Sequence, residues 1–461
     1  MAKVAFRTGG YSFLVERADM RDVLCRCGAR GLFPGMGLGV LIAWISCGIS
    51  FGQGEPNGAA ADVTTAVTVK PTAGLDSALE KDWLKRWEQN VLHDIGRSRP
   101  CDTLMGESIG WGVSPYLNAF YFGYMATGDR AWMDRLIDWT DAVLKRGVKE
   151  PDGYIGWPKA EDDGVLEYLP RGMRTRYTDT MVSDAMFLRP VAMMAGEILK
   201  TPALKEKYGA KAEEYLQFCE RTFEKWNSRG AWRDTNLVGG SDPKEGGIWV
   251  VPPFGIDQKT GQWTDGYDQR FTDGNSLPAN KENQIAKWLL AMYDVTRKPI
   301  YRDRAEKWFR VMKSRLRPRE DGKYYVWNYW DVGVPWDKNP DGSIKHWVGV
   351  HPSGGYYADD LEGIVPAYEH GLVFTQEDMA RFIATNRDFM WDKEIKNAKF
   401  QRIDGRRRAS DVSPGQLWYA LTPYDPTLQK IFEANFDPGG WDGVWTAEWI
   451  MHFRRVAAAG K

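Results

Sequence analysis

The chain has 461 residues, and its 61 basic and 62 acidic side chains leave a formal net charge of −1. Because a nucleic-acid-binding protein normally shows a basic excess, we do not expect nucleic acid as a partner. The apolar fraction of 43% and the charged fraction of 27% are ordinary for a folded soluble protein. The 22 Trp, 20 Tyr and 19 Phe are a high aromatic content. A buried indole N–H needs a hydrogen-bond partner, so we expect many of these residues to border a wet cleft, while core and helix packing accounts for about two thirds of them.

The first 52 residues have the layout of a secretory signal. Three arginines precede an apolar run over 32–51, and residues 50–52 form a small-x-small cleavage site. The basic region follows an extension that such signals lack, so Met20 or Met36 is a candidate start. An uncleaved membrane anchor and a lipoprotein site at Cys47 are the alternatives. Apart from such an anchor we expect no membrane contact, and a cleaved signal would place the protein in the periplasm or outside the cell.

Residues 53–74 and 75–461 differ in composition. The first segment is rich in Gly, Ala, Thr and Pro, which predicts a disordered linker. No comparable stretch follows, so residues 75–461 are expected to form one domain. Cys101 and Cys219 are its two cysteines, too few for a disulfide framework. Neither a C-x-x-C nor an H-E-x-x-H spacing occurs, and we expect no metal and no other cofactor.

Helical periodicity and capping signals predict helices throughout this domain. In chain order they cover residues 77–96, 114–127, 130–146, 177–199, 205–226, 281–296, 299–316, 358–371, 375–391, 413–421 and 444–457. Helices that are apolar on nearly every side are typically buried, and helices charged on one face only lie at the surface. The first kind comprises 114–127, 180–195 and 285–293, and the second comprises 130–146, 205–226 and 299–316.

The junction between a buried and a surface helix is repeated along the chain. Residues 124–132 align without gaps on 293–301, and a fainter copy lies at 198–204. Repeated units that cannot bury their apolar face alone stack side by side and share a core. The sequence therefore predicts an all-α fold, an (α/α)n toroid or incomplete barrel of alternating inner and outer helices.

The connections between these helices are unequal. Turns from an inner to an outer helix are short, whereas the return connections are long and rich in glycine and aromatic residues. Long loops in a compact domain are usually functional, and here they gather at one end of the toroid. We therefore expect residues that precede or open each inner helix to face a cleft. Trp157, Trp327 and Trp330 in these loops are the candidates for stacking on a ligand.

The stretch 346–360 carries the strongest signal for chemistry. His346 and His351 are two of only five histidines, and Tyr356 and Tyr357 follow them after a Gly-Gly pair. Adjacent glycines let the backbone bend sharply or approach a ligand closely. A neutral His and a Tyr within reach of one carbon form a base and acid pair. The alternative is a structural loop histidine with packed tyrosines.

Arginines mark two further stretches. Arg171, Arg174 and Arg176 precede Tyr177 at a predicted cleft wall, and more arginines lie at 402–408. The planar fork of arginine suits carboxylates, which favours an acidic ligand. A solvated charged face is the alternative.

Amide and carboxyl groups open another inner helix. Asn280, Glu282 and Asn283 occupy its first turn, where helix capping is the alternative to ligand binding. Asn283 is the most plausible ligand contact among them because its amide can donate.

These features together resemble the α/α-toroid polysaccharide lyases that act on uronate polymers such as alginate or glucuronan. The resemblance covers most of residues 75–457 in architecture. One alginate-lyase family carries an Asn-Asn-His-Ser-Tyr-Trp run that is absent here, so that subgroup is excluded. The phrase at 346–357 is closer to smaller lyase families.

The resemblance implies β-elimination on an acidic polysaccharide or oligosaccharide. His351 or a tyrosinate would remove the C5 proton of a uronate, and Tyr356 or Tyr357 would protonate the leaving oxygen. Asn283 and Arg176 would neutralise the uronate carboxylate by preorganised electrostatics. The remaining candidates would bind the substrate, and they are Arg171, Arg174, Tyr177, Glu282, His346, Trp157, Trp327 and Trp330. The scheme requires no metal.

Three alternatives fit the same residues. A glycoside hydrolase needs two carboxylates across the scissile bond, and it has candidates in Asp179, Asp184, Glu282, Asp359 and Asp360. An unsaturated-uronyl hydrolase or a sugar epimerase also suits the predicted scaffold. A carbohydrate-binding protein without activity would need the aromatic residues alone.

Overall fold

A computed structural model of the chain describes residues 69, 71–160, 177–178, 180–251, 275–320, 322–331, 335–406 and 415–459. The chain divides into units 1–66 and 67–461, and the described residues all belong to the second. The predicted signal and most of the predicted linker lie outside them. The end of that linker packs on the domain: Val69 is buried, and the Thr72 N–H donates to the Pro423 carbonyl over 2.8 Å. Among the described helices, none has the length and apolar character to cross a membrane.

The described residues are mostly helical, which confirms the predicted all-α class. The α-helices are α1 Ser77–Arg97, α2 Glu107–Gly112, α3 Ser114–Thr127, α4 Arg130–Lys145, α5 Met181–Lys200, α6 Pro202–Ser228, α7 Ala279–Thr296, α8 Pro299–Ser314, α9 Gly355–Glu369, α10 Gln376–Ala384, α11 Pro426–Asn435 and α12 Thr446–Ala459.

Short strands pair into antiparallel two-stranded ribbons within the connections. The pairs are β1 Val148–Lys149 with β2 Ile155–Gly156, β3 Lys159–Ala160 with β4 Tyr177–Thr178, β5 Trp232–Thr235 with β6 Gly246–Trp249, and β7 Arg317–Arg319 with β8 Tyr324–Val326.

The repeated junction has the same hydrogen bonds in both of its full copies. The hydroxyl of Thr127 donates to the Gly123 carbonyl over 2.7 Å and accepts the Asp129 N–H over 3.2 Å. Thr296 makes the equivalent bonds with the same lengths. The next residue, Gly128 or Arg297, has a positive φ that ends the helix. The repeat in the sequence is therefore a repeated helix stop.

Buried and surface helices alternate as predicted. Helices α3, α5 and α7 are buried on most sides, and α4, α6 and α8 pack on their outer faces in that order. The buried helices also contact one another in series, α3 with α5, α5 with α7 and α7 with α9. The 3₁₀ helix Tyr419–Tyr424 contacts α9 and α12, and α12 contacts α3. Gly363 allows close approach of α9 to α7, because a Cβ there would lie 2.8 Å from the Asn283 Cβ.

Several predicted boundaries are wrong. Helix α5 begins at Met181, later than predicted, because Tyr177–Thr178 pair with β3. Helix α10 ends at Ala384, earlier than predicted, and a π-helical segment, Thr385–Met390, follows it. The described part of predicted helix 413–421 is not α-helical, and the 3₁₀ helix Tyr419–Tyr424, which contains Pro423, lies there instead. Helices α2 and α11 are not in the prediction.

The described tryptophans agree with the expectation that core packing takes about two thirds of the aromatic residues, but the three predicted stacking tryptophans are among the buried ones. Ten tryptophans in the described ranges are less than 2% exposed: Trp87, Trp132, Trp139, Trp157, Trp226, Trp249, Trp288, Trp308, Trp327 and Trp418. Trp111, Trp347 and Trp441 are 38%, 39% and 42% exposed. The core therefore takes most of the aromatic content.

Candidate functional site

Two loops lie over the start of α7. The Tyr329 carbonyl accepts the N–H of Ala279, the first residue of α7, over 2.9 Å, and the Tyr329 N–H donates to the Gly349 carbonyl over 2.9 Å. The loop after β8 and the loop before α9 are thereby joined to the end of a buried helix. Three stretches selected from the sequence, 275–284, 327–330 and 346–360, meet at this point.

Four aromatic side chains form a partly exposed cluster there, which we call the aromatic rim: Tyr329, Trp347, His351 and Tyr356. The ring centroids of His351 and Tyr356 lie 4.3 Å apart in an edge-to-face arrangement. Tyr329 lies 4.7 Å from Tyr356, 5.0 Å from His351 and 6.0 Å from Trp347. The rim therefore brings an imidazole and a phenol to one position.

The hydrogen bonding of His351 fixes its tautomer. Its Nδ1 accepts the Ser353 N–H over 3.0 Å, so a neutral ring carries its proton on Nε2. Burial, with a contribution from the positive charge of Arg402, lowers the pKa of His351 to about 4. At neutral pH the imidazole therefore offers an N–H donor, and the predicted role as base does not fit this geometry.

The two adjacent tyrosines differ in environment. Tyr357 is 2% exposed, packs against Trp327, and its hydroxyl oxygen accepts the His351 backbone N–H over 2.8 Å. Burial raises the pKa of Tyr357 far above its usual range. Tyr357 thus holds the histidine loop, and Tyr356 is the phenol of the aromatic rim.

Asp359 lies one helical turn after Tyr356 on α9, so the two side chains are neighbours on the helix surface. Burial and the negative charge of Glu362 raise the pKa of Asp359 well above its usual range. Asn280 at the start of α7 is 1% exposed, and its side chain lowers the pKa of Asp359, against the main shift. Neither of its amide atoms has a hydrogen-bond partner of good geometry. A carboxyl whose burial favours the protonated form, beside a buried amide, is a place where a carboxylate could be received.

Paired charges continue below Asp359 on the buried helices. Arg189 of α5 donates to Glu448 of α12 over 2.8 Å and to Asn118 of α3 over 3.0 Å. Lys287 of α7 donates to Glu362 of α9 over 2.9 Å. Polar side chains therefore connect five helices: α3, α5 and α12 through Arg189, and α7 and α9 through Lys287.

A third group lies where α2 meets α7. The ammonium of Lys281 is 2.8 Å and 2.9 Å from the two carboxylate oxygens of Glu107, and Glu107 also accepts the Trp111 indole N–H over 2.8 Å. Lys281 directly follows Asn280 in the first turn of α7.

Several predicted ligand contacts are core residues. Asn283 is fully buried; it donates to Asp360 and accepts from the Trp308 indole, each over 2.7 Å. Glu282 is fully buried and accepts the Trp249 N–H over 3.0 Å. Burial raises the pKa of Glu282. These contacts leave neither side chain available at the aromatic rim.

His346 and the three predicted stacking tryptophans are also enclosed. His346 stacks on Trp330 with ring centroids 4.0 Å apart. The indole N–H groups of Trp157, Trp327 and Trp330 donate to Val143, Asp360 and Ser276 inside the protein. Each of these tryptophans is at most 2% exposed, so none offers a face to a ligand.

Of the two arginine-rich stretches, the structure describes only the start of the second. Arg171, Arg174 and Arg176 lie outside the described residues, and Tyr177 is described only as backbone in β4. Arg402 is buried, pairs with Asp404 over 3.1 Å and donates to the Val350 carbonyl over 3.1 Å.

Of the carboxyl groups considered for a glycoside hydrolase, one further residue can be located in the structure. Asp184 is buried and bonds to Trp226 and Lys225 over 2.8 Å, whereas Asp179 lies outside the described residues. Over the part of the chain that the structure describes, no group of three or more His, Cys, Asp or Glu side chains could hold a metal ion.

Four charged residues are not among the site residues predicted from the sequence: Arg189, Lys287, Glu362 and Glu448. Each is a charged residue within a helix whose other residues are mostly buried, and that pattern is visible in the sequence. A charge inside an all-round apolar helix needs a partner, and it could have indicated a polar interior.

Comparison of the chain with models of protein families, with curated proteins and with solved structures finds no match.

Proposed function

We propose that the chain is a polysaccharide lyase of the α/α-toroid type, which cleaves a uronic-acid polymer such as alginate or glucuronan by β-elimination. The series of helix contacts from α3 through α5, α7 and α9 to the 3₁₀ helix Tyr419–Tyr424 and α12, which returns to α3, supports a closed ring. The N-terminal ends of the buried helices then surround one mouth, where the aromatic rim lies. The predicted secretory signal would bring the enzyme to an extracellular polymer.

The observation that carries the proposal is the arrangement of Tyr356, His351 and Asp359 at the start of α9. The uronate carboxylate would lie against the carboxyl of Asp359, in which burial favours the protonated form, and against the buried amide of Asn280. Both groups can donate to the charge that develops when the C5 proton leaves, and such preorganised donors are typically the largest catalytic contribution. The Nε2–H of His351 adds a third donor.

Tyr356 would carry out the proton transfers. As phenolate it takes the proton from C5, the C4–O4 bond breaks, and a double bond forms between C4 and C5. The phenol then gives the same proton to the departing O4, so one residue serves as base and as acid. This assignment replaces Tyr357 and Asn283 of the original scheme, because both are engaged in the core.

A glycoside hydrolase is the second candidate, and a specific pair of carboxyls favours it. Asp442 is exposed, yet partial desolvation, together with the negative charge of Glu362, raises its pKa. The charge of Glu362 thus helps to raise the pKa of both Asp359 and Asp442. A proton-donating carboxyl is what glycoside cleavage requires.

Ultraviolet absorbance on a panel of uronate polymers tests the proposal. Elimination creates a 4,5-unsaturated product that absorbs, so the exported protein should generate absorbance and new reducing ends together. The Tyr356→Phe variant, assayed alongside, should generate neither. Reducing ends without absorbance would replace the lyase by the hydrolase, and no product from any polymer would contradict both enzymes.

A further inference from the structure

Three tryptophans stand apart from the buried majority. Trp111, Trp347 and Trp441 are 38%, 39% and 42% exposed, whereas ten others in the described ranges are less than 2% exposed. A folded protein normally buries such a large apolar side chain, so an exposed indole face is a candidate contact for a ligand.

The three residues occupy equivalent places in the fold. Trp111 lies in α2, directly before α3, and Trp347 lies in the loop that leads into α9. Trp441 begins the 3₁₀ helix Trp441–Trp445, directly before α12. Each therefore precedes a buried helix at its N-terminal end, although they are far apart in sequence.

Side-chain contacts lead from two of these tryptophans to residues at the starts of α9 and α7. Trp347 packs on Tyr329, which packs on Tyr356, one turn before Asp359. The Trp111 indole donates to Glu107, which pairs with Lys281, the neighbour of Asn280. The two indoles thus approach the site from different elements.

Trp441 approaches from a third element. It begins the 3₁₀ helix Trp441–Trp445, which contacts α1, α3 and α12. The charge of Glu362 acts on both Asp442, the neighbour of Trp441, and Asp359. The three tryptophans thus lie on different segments, which lead into α3, α9 and α12.

The chemistry around the indoles suits an acidic sugar chain. A pyranose presents C–H groups on its faces, which pack on the flat apolar surface of an indole, while its hydroxyl and carboxylate groups stay at the edge. The Trp111 ring is held in place because its N–H is bonded to Glu107. Lys281 neutralises the charge of Glu107 beside it over 2.8 Å, and the raised pKa values of Asp359 and Asp442 limit repulsion of uronate carboxylates.

We propose that Trp111, Trp347 and Trp441 are separate sugar-stacking subsites around Asp359, so that the ligand is a chain of several uronate units rather than a disaccharide. The inference rests on the proposed carbohydrate function, but it does not depend on the reaction type.

Binding measurements with inactive protein test this inference. In a Tyr356→Phe background, each of Trp111→Ala, Trp347→Ala and Trp441→Ala should weaken binding of polyglucuronate or alginate about tenfold, roughly 1.4 kcal/mol. Binding of the corresponding disaccharide should change in at most one of the three. Leu92→Ala and Ile300→Ala are the controls, because these side chains are similarly exposed, at 37% and 39%, on α1 and α8.

The outcomes are distinct. Polymer binding equal to that of the controls in all three variants would overturn the inference, and so would equal losses for polymer and disaccharide. Unchanged thermal unfolding would show that the variants remain folded. If polymer binds at the tryptophans while the parent protein forms no unsaturated product, the subsites stand and only the lyase proposal fails.

Discussion

The two faces of α9 carry the same pair of residue types in very different surroundings. Tyr356 and Asp359 are partly exposed, and Tyr357 and Asp360, with the same spacing, lie in the core. Tyr357 accepts the His351 N–H, and Asp360 accepts from Asn283 and from the Trp327 indole, each over 2.7 Å. The core pair thus has specific hydrogen-bond partners that hold α7, α9 and the loops together.

The comparison shows that residue type does not decide the role here. Burial raises the pKa of Asp360 to about 7 and raises the pKa of Asp359 as well. What differs is the environment, because Asp360 is satisfied by two donors while Asp359 lies beside an amide without good partners. A shifted pKa alone would therefore not have separated a structural carboxyl from a candidate functional one.

The tyrosines provide the largest expected contrast. Tyr356→Phe should lower kcat by about 10³-fold, since it removes the group proposed to transfer the proton, and it should leave the free energy of unfolding almost unchanged. Tyr357→Phe should instead destabilise the fold by about 1–2 kcal/mol, because the buried His351 N–H loses its acceptor, while turnover falls less than tenfold. Kinetics on the cleaved polymer and urea unfolding of both variants check this contrast. Equal losses of kcat in the two variants would contradict the different roles given to Tyr356 and Tyr357.

The aspartates should differ next. Asp360→Ala leaves two buried donors without an acceptor and should cost about 2–4 kcal/mol of unfolding free energy. Asp359→Asn should cost less than about 1 kcal/mol, because the amide replaces a carboxyl that tends to be neutral.

The same Asp359→Asn variant also separates the two proposed reactions. An amide still donates to a uronate carboxylate, so a lyase should keep measurable turnover. A hydrolase that uses Asp359 as its acid should lose turnover entirely. Initial rates at saturating polymer decide between these outcomes.

The helices could be predicted because they repeat a local pattern. Periodicity located α3, α4, α7 and α8, and the repeated Thr127 and Thr296 marked the same helix stop. The site was less predictable, since helix-face geometry near a glycine-rich loop decides which of two adjacent tyrosines points inward. The three predicted stacking tryptophans were placed wrongly for another reason. The groups that accept from a buried indole N–H, such as the Val143 carbonyl for Trp157, cannot be identified from a sequence.

The last expected effect concerns His351 and the pH dependence of stability. The folded pKa of about 4 lies below the unfolded value of about 6.5, so the unfolded chain binds more protons between these values. The stabilising contribution is complete above pH 6.5 and is lost as the pH falls toward 4. With solvent screening we expect about 1–2 kcal/mol.

The variant His351→Asn provides the comparison for this effect. Asparagine can accept the Ser353 N–H but does not titrate, so its unfolding free energy should depend less on pH across this window. Parallel curves for the parent and the variant would show that the imidazole does not carry the effect.

The repeated threonine stop has a consequence for how such a scaffold can change over time. It ties α3 to α4 and α7 to α8 through bonds between a threonine hydroxyl and the backbone, so an inserted residue there would rotate one helix against the other. Insertions are better tolerated in long surface connections. Changes in the length or composition of those connections would therefore leave the register of the helices unchanged.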